Sequence, residues 1–290
     1  MLIGDYFKNL NSKYKNHYFS GLSFNSLKCK KDDIFFAIQG NENDGNKFTK
    51  NAIKNGAKTV VSNQKYQGYK HNILYIYCSN VRKLLAEIAF SVYKARPKNL
   101  IAVTGTNGKS SIANFYFQIL KLNKKKAASI GTLGIQTVYS KGKVTNTTLD
   151  PLLLGKCLEK LKRKKIENVI MEASSHGLNQ NRLDGLKFNI GIFTNLSHDH
   201  LDYHKNFKNY LFSKLYLFKE LLLKNAYVIT DREIPEYNKI KNICLKKNLN
   251  ILSILNHKSN LRVISHIYLN DKQIVEIKYK NQFYKFKLNL

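Results

Sequence analysis

Hydrophobic positions change their period along this chain, and the changes outline its architecture. From Leu100 onward, short β-branched and apolar runs alternate with stretches in which apolar residues recur about every three to four positions. The runs Asn99 to Thr104, Ala127 to Ile130, Ile166 to Met171, Phe188 to Thr194 and Ala226 to Thr230 predict strands. Between them, Ile112, Phe115, Tyr116, Ile119 and Leu120 form one helical stripe, and Leu152 to Lys164 and Tyr203 to Leu223 predict further helices. Strands and helices in alternation predict a mostly parallel sheet with covering helices. Gly131 to Asn146 breaks the pattern as an irregular segment or edge hairpin. Beyond about Ile251 the period becomes two, over Leu261 to Leu269, Gln273 to Lys280 and Phe283 to Leu290. Turns at Asn270-Asp271 and Asn281-Gln282 make that an antiparallel β tail.

The first part of the chain reads as a smaller α/β domain. Asp33 to Ile38, Lys58 to Ser62 and Asn72 to Cys78 predict strands. Phe48 to Asn55, closed by Gly56, predicts a helix. Asn80 is placed to N-cap a second helix over Val81 to Lys94, whose apolar face is Leu84, Leu85, Ile88, Ala89 and Val92. Arg96-Pro97 stops that helix, so the expected domains are residues 1–97 and 98–290. A chain of 290 residues that is 43% hydrophobic can bury one large core or two ordinary ones.

Charge changes this picture little. The formal net charge of +30 invites a nucleic-acid partner, but the lysines are spread over the whole length among many Asn, Ile and Tyr. The densest clusters, Lys124 to Lys126 and Lys162 to Lys165, fall at predicted helix ends, where cations are favourable. With no RNA-module aromatic signature and no zinc-finger spacing, a solvated basic surface is expected, with no nucleic-acid and no membrane partner. Cys29, Cys78, Cys157 and Cys244 form no C-x-x-C pair and read as reduced thiols. The N-terminus lacks an apolar signal core, so a cytoplasmic monomer is expected.

Candidate chemistry begins at Asn99 to Ser111, NLIAVTGTNGKSS. An apolar strand runs into Gly105, Thr106, Asn107 and Gly108, and Lys109, Ser110 and Ser111 open the next helix. Such a turn lets backbone approach a phosphate, while the helix N-terminus favours an anion. Lys109 would neutralise phosphate charge and the Ser110 hydroxyl would sit on Mg²⁺. The pattern is a shortened phosphate loop, with Val103 where the general form has Gly.

Glu172 follows the strand IENVIM as the acidic residue of a nucleotide-binding strand would, toward Mg²⁺. Thr147, Thr148, Ser174, Gln180 and Arg182 suit a polar, phosphorylated sugar-type ligand. His198 to His204 (HDHLDYH) raises a dinuclear zinc hydrolase, but that motif needs His where this chain has Tyr203. His200 can reach a metal near Glu172. Ser174 with His176 lacks the G-x-S-x-G elbow of a nucleophile. Lys214 lies in an apolar, aromatic helix, where a snorkelling surface Lys is the ordinary reading; a desolvated amine can instead lose its charge and add CO₂.

Taken together these motifs resemble the Mur ligase family. The resemblance is carried by GTNGKS (Gly105 to Ser110), NTTLDP (Asn146 to Pro151), MEASSHGLNQNRL (Met171 to Leu183) and FTNLSHDHLDYH (Phe193 to His204). It points most of all to the branch that makes the UDP-N-acetylmuramoyl tripeptide; folylpolyglutamate synthetase shares the loop without the SSH and DHLDYH segments. The resemblance implies ATP-dependent amide-bond formation through an acyl phosphate. The substrates implied are UDP-MurNAc-L-Ala-D-Glu and either meso-diaminopimelate or L-lysine, in peptidoglycan precursor synthesis.

By resemblance, Lys109, Lys214 and His200 are catalytic, and Gly105 to Ser111 bind ATP. Ser110 and Glu172 hold one Mg²⁺, and His200 with a carbamylated Lys214 holds or orients a second. Ser26, Asn146, Thr147, Thr148, Ser174, Gln180 and Arg182 bind the UDP-sugar peptide, with the turn around Asn41 to Asp44 helping to grip uridine and diphosphate. The chain reads Asn25-Ser26-Leu27 where the family has DSR. It also stops at Leu290, before the family's amino-acid-selecting third domain. An N-terminal fragment that binds the UDP-sugar peptide without ligating alone is therefore expected.

Overall fold

The structure, a computed structural model, describes residues 1–8, 10–40, 43–144, 146–255 and 259–289. It divides into two compact units. One comprises Met1–Arg96, Asp150–Lys160 and Gln180–Leu186, and the other Pro97–Leu149, Leu161–Asn179 and Lys187–Leu290.

The first unit is built on a five-stranded sheet of β1 (Leu22–Ser23), β2 (Ile34–Phe36), β3 (Thr59–Ser62), β4 (Gly68–Lys70) and β5 (Ile73–Tyr77), in the order β1-β2-β3-β5-β4. All pairs are parallel except β4 with β5. Alternation along β2 and β3 supplies both faces. Phe36 and Val61 enter one core with Ile3, Phe19, Leu85 and Ile88, while Phe35 and Val60 enter another with Ala52 and Ala57. The covering helices are α1 (Thr49–Lys54) and α2 (Val81–Val92), and the Asn80 side chain accepts from Lys83 N at 3.0 Å as an N-cap. Gly56 ends α1's turn at φ +109°.

In the second unit, β6 (Asn99–Thr104), β7 (Ala127–Gly131), β10 (Asn168–Glu172), β11 (Phe188–Phe193), β12 (Leu222–Asp231) and β13 (Asn250–Leu255) are parallel, in the order β13-β12-β11-β6-β10-β7. β8 (Gly134–Thr137) and β9 (Lys141–Gly142) extend one edge as the expected hairpin. β14 (Leu261–Leu269), β15 (Lys272–Tyr279) and β16 (Gln282–Asn289) extend the other; β14 joins β13 in parallel, and β14, β15 and β16 pair antiparallel with one another. Buried β-branched and aliphatic residues fill β6 and β10, as a strand covered on both faces requires. The helices are α3 (Lys109–Leu122), α4 (Pro151–Arg163), α5 (Ser175–Asn179), α6 (Leu201–His204), α7 (Phe207–Glu220) and α8 (Tyr237–Lys247); α4 begins in the first unit and ends in the second. Among the described residues no helix is long and apolar enough to cross a membrane.

The mixed α/β architecture with its antiparallel tail agrees with expectation, and three details correct it. α3 buries Ala113 and Phe117, while Phe115 and Ile119 are exposed at 59% and 58%. The stripe read from sequence is therefore displaced around the helix. The expected single helix Tyr203 to Leu223 is two, because Lys205 takes φ +68° and Asn206 starts afresh as an N-cap, accepting from Asn209 N. The second tail turn is Lys280-Asn281, both at positive φ, one residue earlier than expected.

Candidate functional site

Chain order decides which strand ends meet. β6 leads through α3 to β7 on one side, whereas β11 leads to β12 on the other. Loops leaving adjacent strands in opposite directions open a crevice at the carboxyl edge, where ligands bind in such sheets. The loop after β6 is Gly105 to Gly108, and the segment after β11 begins at Thr194. They are stitched together. Thr106 N donates to Asn195 O at 2.9 Å, and Asn107 N donates to Asn195 Oδ1 at 2.9 Å. Thr194 Oγ1 donates to Asn107 O at 2.7 Å, and Ser197 N donates to Thr106 Oγ1 at 3.0 Å.

Gly105 is the tightest point of this loop. Its φ is +141°, and a Cβ there would lie 1.8 Å from Thr194 Oγ1. Gly108, at φ +82°, then turns the backbone into α3. Lys109 Nζ folds over the loop and donates to Thr106 O at 2.7 Å and Gly105 O at 3.1 Å. Burial lowers its pKa, against the attraction of Glu172 and Asp199.

Glu172, at the end of β10, is 2% exposed and fully engaged. Ser110 Oγ donates to its Oε2 at 2.9 Å, Thr132 N to its Oε1 at 2.8 Å, and Thr132 Oγ1 to its Oε2 at 3.3 Å. Three strand ends (β6 with its loop, β7, β10) thus bring hydroxyl and carboxylate oxygens to one point. An all-oxygen donor set with a single carboxylate suits Mg²⁺, which keeps waters and takes phosphate oxygens for its remaining positions. Among the described residues no group of three or more His, Cys, Asp or Glu could hold a metal.

Lys214 corrects the ordinary reading of a snorkelling surface lysine. It is 1% exposed, its Nζ donates to Gly105 O at 2.6 Å, and it lies 4.3 Å from the ring centroid of Tyr210, one turn earlier on α7. Burial first, and the Lys109 charge second, bring its pKa down to about 7. Two amines share the Gly105 carbonyl, and the more buried one gives up its proton more readily.

Tyr210, fully buried, shares a hydrogen bond with Thr106 Oγ1 at 3.1 Å and so ties α7 to the loop. His200, at φ +52°, lines the same cavity of about 370 Å³ as Thr106 to Ser111, Thr132, Thr147, Glu172, Ser174, Ser175 and Lys214. Its ring lies 4.8 Å from that of His176, and His204 and Tyr203 pack against His176 at 5.5 and 4.1 Å. His204 is buried, which, with the electrostatic influence of His176, Lys214 and His200 second, lowers its pKa to about 4.

The remaining sequence candidates fall in different settings. Thr148 Oγ1 donates to Glu172 O and receives Ser174 N, both at 2.9 Å, so it braces the β10 end. Ser174 Oγ receives Gly177 N at 3.1 Å as the cap of α5, the placement of a helix-start residue. Thr147 Oγ1 lies 3.0 Å from Thr132 Oγ1, and Asn146 is exposed. Gln180 and Arg182 belong to the first unit, where the guanidinium donates twice to Gln180 Oε1 at 2.7 and 3.1 Å. Ser26 is also in the first unit, buried, with its carbonyl receiving Asn55 Nδ2 at 2.9 Å. Leu27 beside it is 80% exposed. Of the expected turn Asn41 to Asp44, Asn41 and Glu42 lie outside the described residues, while Asp44 Oδ1 receives Asn46 N.

Thr132, Thr194 and Tyr210 were not among the sequence candidates. The signal for the first two is position alone: Thr132 follows the predicted strand Ala127 to Ile130, and Thr194 is the last residue of the predicted strand Phe188 to Thr194. Tyr210 has the signal of sitting four residues before Lys214, on the same helix face.

Comparison with known proteins shows the family. Residues 103–290 match the Mur ligase middle domain, and residues 18–93 match the Mur ligase family catalytic domain. The UDP-N-acetylmuramoyl-L-alanyl-D-glutamate--2,6-diaminopimelate ligase of Rickettsia prowazekii (strain Madrid E) is 41% identical over 251 residues, covering 85% of this chain and 52% of the relative. The ligase of the same name from Rickettsia montanensis is 38% identical over 282 residues, 96% of this chain and 58% of the relative. A solved structure of a ligase of that name superimposes with a TM-score of 0.84 at 24% identity, over 98% of this chain and 59% of that one. The MurF ligase of Thermotoga maritima in complex with ADP gives 0.58 at 18% identity, over 92% of this chain and 57% of that one. The chain spans about half the length of the curated relatives it matches. It belongs to the Mur ligase family.

Proposed function

We propose that this chain carries the nucleotide half of an ATP-dependent ligase that joins diaminopimelate to the D-Glu carboxylate of UDP-MurNAc-L-Ala-D-Glu in the cytoplasm. The observation that carries the reading is the convergence of Lys109, Ser110, Glu172 and Lys214 on one loop at the carboxyl edge of a parallel sheet. The choice of amino acid follows the names of the Rickettsia relatives.

ATP would supply the phosphoryl group and Mg²⁺ would offset its charge. The loop amides and the α3 N-terminus would hold the phosphates, and Lys109 would leave its loop carbonyls to meet phosphate oxygens. Ser110 and Glu172 would hold the first Mg²⁺. His200, which lines the same cavity, would orient a second. Lys214, with a substantial neutral fraction near pH 7, is suited to add CO₂; its lone pair forms the C–N bond, one proton leaves, and a carbamate oxygen becomes available to that second ion. Transfer of the γ-phosphoryl from ATP to the D-Glu carboxylate would give an acyl phosphate and release ADP; attack by the amino acid's amine, which loses a proton, would then form the amide and release phosphate through a tetrahedral intermediate. Ser26, Gln180 and Arg182 of the first unit would bind the UDP-sugar peptide; residues 1–97 would be the UDP-sugar domain and 98–290 the ATP domain.

Titration calorimetry with ATP and Mg²⁺ tests this. The 290-residue chain should bind the nucleotide, and Lys109→Ala should weaken binding by about 10- to 100-fold, the scale of a lost charge-assisted contact. Glu172→Gln should remove the dependence on Mg²⁺. Unchanged affinity in Lys109→Ala would sink the proposal.

A further inference from the structure

The two densest lysine runs, Lys124 to Lys126 and Lys162 to Lys165, lie far apart in sequence, yet the fold brings them together. They follow α3 and α4 and precede the neighbouring strands β7 and β10, so both sit at the amino edge of the second unit's sheet. Both helices stop in the same way. Lys124 N donates to Lys121 O at 3.0 Å and Lys125 N to Leu120 O at 2.9 Å; Lys165 N donates to Lys162 O at 2.9 Å and Ile166 N to Leu161 O at 3.0 Å. Lys124 and Lys165 take the left-handed residue of these stops, at φ +55° and +57°, a position that favours glycine. The helix dipole accounts for cations in a last turn, but not for lysine at that residue.

Tyr139 stands between the runs. Thr137 Oγ1 receives Tyr139 N at 3.1 Å and Ser140 N at 2.9 Å, which fixes the β8–β9 turn. Lys126 Nζ lies 5.9 Å and Lys164 Nζ 5.8 Å from the Tyr139 ring centroid, and the residue is 55% exposed. Leu122, 82% exposed, ends α3 beside Lys121 and Lys124. Glu167, two residues beyond Lys165, is taken by Lys162 Nζ at 2.6 Å and Lys98 N at 2.8 Å. Among the described residues no ion pair involves Lys124, Lys125, Lys126, Lys164 or Lys165. Lysines alone would suit any polyanion. Leucine and tyrosine set among them suit a surface with an anionic layer over an apolar one, where ammonium groups stay with phosphates and the apolar side chains enter the boundary. A nucleic acid offers Tyr139 a base to stack on but nothing to Leu122.

We propose that the patch of Lys124 to Lys126, Lys164, Lys165, Tyr139 and Leu122 is a docking surface for an anionic phospholipid bilayer. The contact is peripheral and electrostatic, with two apolar side chains as anchors. It uses the amino edge of the sheet and leaves the carboxyl edge, with the phosphate loop, to its own chemistry.

The chain has no tryptophan, so an introduced one reports on a single place. Leu122→Trp fluorescence should shift to the blue on adding vesicles of equal parts phosphatidylglycerol and phosphatidylcholine, and stay unchanged with phosphatidylcholine alone. Leu245→Trp, at a 67% exposed site on α8, should not shift with either. Vesicle flotation at physiological salt supplies the second measurement. There fields reach only about 8 Å, so lysines away from the contact count little. Lys126→Gln/Lys164→Gln should weaken binding to the anionic vesicles by about 30-fold, the loss of two lysines from the contact. Lys65→Gln/Lys70→Gln, which removes the same charge from an exposed part of the first unit, should leave it unchanged. No shift at Leu122→Trp, an equal shift at Leu245→Trp, or equal losses in the two lysine pairs would overturn the proposal. So would tighter binding to single-stranded DNA than to the vesicles, if Lys126→Gln/Lys164→Gln abolished it. Should Leu122→Trp fail to fold, the comparison of the two lysine pairs decides.

Discussion

The phosphate-loop edge and the β14–β16 tail belong to one sheet but are finished in opposite ways. At the loop edge, buried polar groups hold one another: Glu172 has three donors, Thr106 has Ser197 and Tyr210, and Asn195 secures two loop amides. In the tail, apolar side chains stand exposed on a face with no charge. One region is held by its own hydrogen bonds, and the other leaves apolar side chains in solvent. Polar networks of this kind are costly to disturb, because a buried group left unpaired loses water without replacement. An exposed sheet face has little to lose.

The sharpest contrast comes from Gly105→Ala. At φ +141° with Thr194 Oγ1 1.8 Å from the new Cβ, the substitution strains the backbone and pushes the β11 segment off the loop. Strain and overpacking together should cost about 3 kcal/mol, read as a lower urea midpoint. A loss under about 0.5 kcal/mol would mean the loop is loosely held, and the contrast would fail.

A second expectation uses pH. His204 titrates near 6.5 when unfolded and at about 4 in the fold, where burial first, and the neighbouring His176, Lys214 and His200 second, oppose its charge. Between these values the unfolded chain binds the extra proton. This contribution to stability is therefore complete above pH 6.5 and is lost as pH falls toward 4. His204→Gln should flatten the slope of stability against pH in that window; an unaltered slope would show that His204 is not its source.

Tyr210→Phe probes a single strut. Removing the hydroxyl leaves the packing on Lys214 and deletes the bond to Thr106, for an expected loss of about 1 kcal/mol in chemical denaturation. The loop edge is also where sequence reasoning reached its limit. Gly105 to Ser110 and Glu172 were legible because a strand, a tight turn and a helix start impose residue types locally. Thr132, Thr194 and Tyr210 were not, since their contacts depend on which strands become neighbours, and β7, β11 and α7 are distant in sequence. The α3 stripe shows the same limit. Periodicity gave a face over Phe115 and Ile119, but what covers a helix is settled by the sheet beneath it, which reached Ala113 and Phe117 instead. In the tail the alternation gave the strands almost to the residue, and only the hairpin turn slipped by one, to the positive-φ pair Lys280-Asn281.

The smallest effect is expected where the side chain is large. Phe286→Lys replaces an aromatic ring with a charge, a change that in a core would cost several kcal/mol. Phe286 is 45% exposed, however, and its opposed neighbour Val275 is itself only partly covered. The lysine stem can lie along the same surface with its ammonium in water. Stability of the 290-residue chain alone should therefore change by no more than about 0.5 kcal/mol in urea denaturation. A loss above about 1 kcal/mol would mean that the ring is already buried against part of this chain, and the tail would then be as self-contained as the loop edge.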